Sequence, residues 1–239
     1  MKNRKKSERR FTPVSSMKHF CEKLTEHGDN TAMMWYDSSR NLHKVSYSEL
    51  SSLIKKQAAG FNALGFKEKR IAIIGETSLE WVVSYVSAIA SGNIAIPMDK
   101  ELKVSEIEGF FEFAEADAVV YSKSFNEKFA DTVKNHKTVS LFIPMASEGL
   151  ECADSDKVLT YEKLLEKGEE DLKGGYVLPE PTDLNRMSVM LFTSGTTGTS
   201  KCVMLSERNV ISALNAACGC VEFYPEDTIV SCLPIHHTY

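Results

Sequence analysis

From Ile71 onward, short continuous apolar runs alternate with stretches of helical period. Ile71–Ile74, Ile94–Pro97, Ala118–Tyr121 and Val139–Ile143 are apolar at almost every position rather than at every second one. A strand covered on both faces reads this way. Between the runs, Thr77-x-x-Glu80 caps a helix through Trp81, Tyr85 and Ile89 to Gly92. A second helix carries Val104, Ile107, Phe110, Phe111 and Ala114 inward and Glu106, Glu108, Glu112 and Glu115 outward, and a third spans Phe125–His136. Strand–helix–strand units of this length call for right-handed crossovers. The expected fold class is α/β: a helix-flanked, mostly parallel sheet in αβα layers.

Upstream, Met17–Glu26 reads as a short helix, and Thr31–Tyr36 with Val45–Tyr47 as a small antiparallel element. Ser46-x-x-Glu49 is a capping box, and behind it Leu50, Leu53, Ile54, Ala58, Phe61 and Leu64 recur at helical spacing until Gly65. Trp81, Tyr85 and the Phe110–Phe111 pair read as core. The acidic, polar stretch 145–181 reads as a surface excursion around one helix, Tyr161–Leu172. Beyond it come an apolar run at Met187–Phe192, a second at Val203–Leu205, a helix at Arg208–Cys220 and a buried strand at Thr228–Leu233.

Composition narrows the class of protein. Hydrophobic residues make up 43% and charged residues 26% of 239, ordinary for a globular chain with a sizeable core. No run approaches the ~18 apolar residues of a membrane span. The first residues, MKNRKKSERRF, lack the apolar centre of a secretory signal, which points to a cytoplasmic protein. Residues 1–10 carry six Lys/Arg and one Glu; because the whole chain has a net charge of −5, the rest is acidic. That acidity argues against nucleic acid as a partner. The basic tail (1–12) reads as a disordered, solubilising end, the alternative being weak contact with an anionic membrane surface. Six cysteines, Cys21, Cys152, Cys202, Cys218, Cys220 and Cys232, contain no C-x-x-C, so reduced and mostly packed thiols are expected.

The chemistry concentrates in Leu191–Ser206, LFTSGTTGTSKCVMLS. Glycine lets backbone N–H groups converge on an anion, and Thr and Ser hydroxyls donate to phosphate oxygens. Lys201 adds a compact positive charge. The loop is not the G-x-x-x-x-G-K-[ST] phosphate loop: counted from Gly195, Ser200 stands where the second glycine is needed and Cys202 follows the lysine. The dinucleotide pattern G-x-G-x-x-G fails as well, because Gly75 is followed by Glu-Thr-Ser.

Thr193-Ser194-Gly195-Thr196-Thr197-Gly198-x-x-Lys201 resembles the phosphate loop of the AMP-forming acyl-adenylate ligases, the superfamily of acyl-CoA synthetases, luciferases and peptide-synthetase adenylation domains. Three further stretches are similar in the family's order. Val45-Ser46-Tyr47-Ser48-Glu49-Leu50 resembles its T-Y-x-E-L motif. Ala88 to Asp99 resembles its helix–Gly–strand–Pro motif, and Leu233-Pro234-Ile235-His236-His237-Thr238-Tyr239 its L-P-x-x-H-x-aromatic motif. The His-His-Thr-Tyr stretch looks most like long-chain fatty-acid CoA ligases. Where the family has Pro and Gly on either side of the loop lysine, this sequence has Ser200 and Cys202.

The resemblance implies that Thr193, Ser194, Gly195, Thr196, Thr197, Gly198 and Lys201 hold the β- and γ-phosphates of ATP, with Thr193 assisting Mg²⁺. His237 would orient the substrate carboxylate, His236 would support it and Tyr239 would line the acyl pocket. The implied substrates are ATP, a carboxylic acid of the fatty-acid type and coenzyme A. A carrier-protein thiol or an amine as acceptor, or a non-catalytic nucleotide-binding module, are the alternatives. The family's later motifs, including the metal-binding Glu, the ribose-binding Asp and the adenylation Lys, have no counterpart before Tyr239, so an N-terminal fragment, inactive by itself, is expected. The implied division is a basic tail (1–12), part of a second subdomain (13–69), an α/β subdomain (70–225) and the start of the remainder of the second subdomain (226–239).

Overall fold

A computed structural model describes residues 12–150, 155–193, 201–221, 224 and 227–237. In chain order the elements are α1 (Met17–Leu24), β1 (Thr31–Tyr36), β2 (Leu42–Ser46), α2 (Tyr47–Ala63), β3 (Arg70–Ile74), α3 (Leu79–Ala90), β4 (Ile94–Met98) and α4 (Val104–Phe113). Then follow β5 (Ala118–Tyr121), α5 (Ala130–Asn135), β6 (Leu141–Pro144), α6 (Tyr161–Lys173), β7 (Met187–Thr193), β8 (Lys201–Ser206) and α7 (Glu207–Cys220). β1 and β2 form an antiparallel hairpin, and the other strands form one sheet in the order β6-β5-β3-β4-β7-β8. Every pair in that sheet is parallel except β7–β8.

The apolar strand runs have the reason expected of them. In β3, Ile71 and Ile73 face one apolar layer, built with α1, α2, α3 and α6, while Ala72 and Ile74 face the other, built with α4 and α5. Burial on both sides leaves no position where a polar residue costs nothing. Helix starts follow local chemistry. The Ser46 hydroxyl accepts from the Glu49 N–H at 3.1 Å and the Glu49 carboxylate accepts from the Ser46 N–H at 2.7 Å, closing the capping box of α2. The Ser16 and Ser78 hydroxyls cap α1 and α3 by accepting from the His19 and Trp81 N–H groups.

The stretch 145–181 is not a surface excursion. Its helix α6 buries Tyr161, Leu164 and Gly168 against α2. The two helices cross where both have glycine: a methyl group at Gly168 would land on the Lys56 carbonyl, and one at Gly60 on Leu164. The Tyr161 hydroxyl donates to Gln57 Oε1 at 2.8 Å, and Gln57 Nε2 donates to the Ser84 hydroxyl at 2.9 Å, so a buried polar chain ties α6 to α2 and α3. Acidic residues mark only the outer face of α6, where Glu169 pairs with Lys56 at 3.1 Å.

Two other expectations change. The helix expected over Phe125–His136 is replaced by a 3-10 turn (Lys123–Phe125) and the short α5, with Phe125 and Phe129 both buried and their rings tilted against each other at 4.9 Å. Thr228–Leu233 is not a buried strand: none of the eight strands pairs with it, and Ile229, Val230 and Leu233 are exposed. A strand is held by its ladder, and apolar β-formers alone do not supply one. The described cysteines are free thiols but less packed than expected: Cys21 is buried, Cys202 and Cys218 are half-buried, and Cys220 and Cys232 are exposed, while Cys152 lies outside the described residues. Among the described residues no helix is long and apolar enough to cross a membrane.

Candidate nucleotide site

β7 runs parallel to β4, with Val189 beside Ala95. Its last residue, Thr193, therefore lies at the carboxyl edge of the parallel strands, where open α/β sheets take their ligands. β8 returns antiparallel with the register Met190↔Met204, Leu191↔Val203, Phe192↔Cys202 and Thr193↔Lys201. Thr193 and Lys201 are thus eight residues apart in sequence and directly opposite in space, both exposed. Hydroxyl and ammonium groups placed together at a strand edge can serve the same anion. Ser194, Gly195, Thr196, Thr197 and Gly198 lie outside the described residues, as does Tyr239.

The neighbouring strand ends fill in the rest of this edge. Gly75 follows β3, and its φ of 150° and contact with Ser122 leave no room for a side chain. Glu76 follows, accepting a hydrogen bond from the Ser124 hydroxyl at 3.3 Å. Burial raises the Glu76 carboxyl, but the hydroxyls of Ser122 and Ser124, its own N–H and Lys100 outweigh it and hold the group below its ordinary value. Asp99 and Lys100 follow β4. The His236 imidazole approaches Asp99 at 3.8 Å, with burial holding it below its ordinary pKa against the pull of Asp99.

His237, the histidine expected to orient the substrate, is exposed; its ring lies 4.2 Å from that of His236, and its N–H donates to the Pro234 carbonyl at 3.1 Å. The structure therefore brings the His-His segment to the end of β4, the strand next to β7, through His236. Among the described residues no three His, Cys, Asp or Glu side chains cluster as a metal site. The oxygen donors and Lys201 suit a metal carried by a polyphosphate better than one caged by protein.

Sequence reasoning missed an aromatic contact at the hairpin base. Phe192 stacks on Phe110 of α4 at 4.2 Å between ring centroids and meets Phe113 edge-on at 5.9 Å. Of the Phe110–Phe111 pair expected in the core, Phe111 is there, whereas Phe110 is half-buried against Phe192. The available signal was an aromatic residue directly before Thr-Ser-Gly, together with Phe at two positions of α4 that share a face.

A family model described as "AMP-binding enzyme" matches residues 20–239. The chain is 28% identical over 210 residues to fatty acyl-CoA synthetase B of Dictyostelium discoideum, covering 84% of this chain and 31% of that protein. It is 24% identical over 213 residues to the chloroplastic long-chain-fatty-acid–[acyl-carrier-protein] ligase AEE15 of Arabidopsis thaliana, covering 82% and 29%. Its fold is similar to the crystal structure of a long-chain-fatty-acid-CoA ligase (FadD1) from Archaeoglobus fulgidus, with a TM-score of 0.76 at 20% identity, covering 95% of this chain and 43% of that one. The chain thus spans about a third of the length of the curated relatives it matches. Its six-stranded sheet, its hairpin at the carboxyl edge and the match over nearly all its residues lead to one conclusion: the chain belongs to the AMP-binding enzyme family.

Proposed function

We propose that this chain carries the pyrophosphate side of the active site of an ATP-dependent fatty acyl-CoA synthetase. A carboxylate oxygen attacks the α-phosphorus of ATP, forming the acyl–phosphate bond of an acyl-adenylate as the bond to the β-phosphate oxygen breaks and pyrophosphate leaves. The coenzyme A thiol then gives up its proton and attacks the acyl carbon, forming the thioester and releasing AMP. The observation that carries this reading is the register pair Thr193↔Lys201 at the carboxyl edge of the parallel sheet.

Lys201 offsets repulsion between the incoming carboxylate and the triphosphate, and the loop hydroxyls and amides of Ser194, Gly195, Thr196, Thr197 and Gly198 receive charge building on the leaving group. Mg²⁺ neutralises the phosphates when bound, with the Thr193 hydroxyl as a donor toward it. His237 orients the carboxylate and Tyr239 lines the acyl pocket; the approach of His236 to Asp99, just after β4, supports the part given to His237. The division at 13–69, 70–225 and 226–239, a cytoplasmic location and a solubilising basic tail over residues 1–12 belong to the same reading. The 239 residues alone bind nucleotide without completing adenylation, since the metal-binding Glu and adenylation Lys that the family resemblance implies have no counterpart in them. A relative named for an acyl-carrier-protein acceptor supports a second reading in which the thiol is that of a carrier protein.

Calorimetry with ATP and Mg²⁺ tests the site. Lys201→Ala is expected to weaken binding by about 10- to 100-fold, the worth of one charge-assisted contact, with the thermal midpoint unchanged. Equal affinity in the variant would sink the assignment of Lys201. Formation of acyl-AMP from ATP and a fatty acid by the unsubstituted chain would overturn the inactivity of these residues on their own.

A further inference from the structure

The base of the β7–β8 hairpin has a second support besides its ladder. The ring of Phe192, one residue before Thr193, lies over Phe110 at 4.2 Å with 18° between planes. Phe113 meets the same ring edge-on at 5.9 Å and 72°. Phe110 and Phe113 are three residues apart on α4, the spacing that puts two side chains on one helix face. Cys202, the register partner of Phe192, packs against the same apolar cluster. Phe113 remains 68% exposed. A ring left so open does little to fill the core, and it meets Phe192 edge-on.

We propose that Phe110 and Phe113 clamp Phe192 and thereby position Thr193 and Lys201 for a polyphosphate ligand. This rests on the reading of the hairpin as a polyphosphate site. Among the described residues Thr193↔Lys201 is the last pair of its ladder. A terminal pair opens readily unless side chains next to it are held. α4 can hold them, because Ile107 and Phe111 bury the adjoining face of the helix in the core. Aromatic pairs at these separations contribute beyond the area they bury. The contact also explains how Cys202 is accommodated where the resembling family has glycine: its side chain packs against the apolar cluster. Phe110 and Phe113 are positioning residues and reach the ligand only through Phe192 and its neighbours.

Three variants of the 239-residue chain test the clamp. Phe110→Leu keeps an apolar body and loses the stack, Phe110→Tyr keeps the stack, and Phe113→Ser changes a side chain too exposed to threaten folding. The measurements are ATP–Mg²⁺ affinity by calorimetry and hydrogen exchange at the backbone amides of residues 190–193 and 201–204 without ligand. Phe110→Leu and Phe113→Ser are expected to weaken ATP binding by about 3- to 10-fold and to speed exchange. Phe110→Tyr is expected to match the unsubstituted chain in both. Unchanged exchange in the Leu and Ser variants overturns the clamp, and faster exchange with unchanged affinity overturns its positioning role. If the unsubstituted chain binds no ATP, the polyphosphate reading fails and takes the positioning role with it, while exchange still decides whether the clamp exists.

Discussion

Gly168 sits where two backbones meet. A side chain there would occupy the position of the Lys56 carbonyl and press on the Gly60 N–H, and backbone cannot rotate away as a side-chain tip can. Gly168→Ala is expected to cost about 1–3 kcal/mol or more, read as a lower urea midpoint with the slope unchanged. Single residues divided sharply in how much the sequence revealed of them. The placement of Lys201 opposite Thr193 was legible, because the apolar runs on either side of the loop read as two strands and the register pairs the two residues. Gly168 was not, since a glycine inside a helical pattern has no signature of its own until the partner helix is known. His236 was assigned a supporting part, and its approach to Asp99 became visible only when the chain after β8 was set against the end of β4.

At the scale of elements, α1 has little local reason to stay where it is, being only eight residues long. Glu207, the first residue of α7, anchors it. This carboxylate is 2% exposed, accepts from the Met17 N–H at 2.9 Å and from Arg186 Nη2 at 2.9 Å, and Arg186 in turn donates to the Ile89 and Gly92 carbonyls that end α3. Removing one side of a buried pair leaves the other charge uncompensated. Glu207→Ala is expected to destabilise the chain by about 3–5 kcal/mol, measured by chemical denaturation, with α1 losing exchange protection first. The strands of the parallel sheet and helices α2, α3 and α4 could all be read from period and caps. α6 could be placed in sequence but not in space: its acidic face suggested solvent on all sides, while Tyr161, Leu164 and Gly168 on the other face are what α2 covers.

For the whole molecule, several weakly acidic side chains are held neutral by burial, complete for Cys21 and Tyr161 and partial for Tyr85 and Tyr176. Burial pushes the Cys21 thiol up to about 12 and the Tyr85 and Tyr176 hydroxyls to about 12, and raises Tyr161 as well. Each folded-state value lies above the ordinary one, so each group contributes stability that is complete below its unfolded pKa and is lost as pH rises toward the folded value. Denaturation midpoints are therefore expected to hold to about pH 9, the ordinary thiol value, and to fall steeply from there toward pH 12. A flat profile across that interval would show that these groups meet water in the folded state. The α/β class was readable from the start because continuous apolar strands have only one common setting. The run 228–233 has the same composition without a ladder, and composition cannot tell the two apart.

β8 is the last strand of the sheet, and its outer side has no neighbour among the described strands. Val203 and Met204 stand exposed on it. Open edges of this kind are normally guarded by charge, and in Lys201-Cys-Val-Met-Leu-Ser206 the only charged residue is Lys201. On the polyphosphate reading, the group that keeps this edge from pairing with another copy is also the group a ligand neutralises. Occupancy of the site and the colloidal behaviour of the chain are then coupled, and a preparation that stays clear when empty loses part of its protection against edge-to-edge association as it fills.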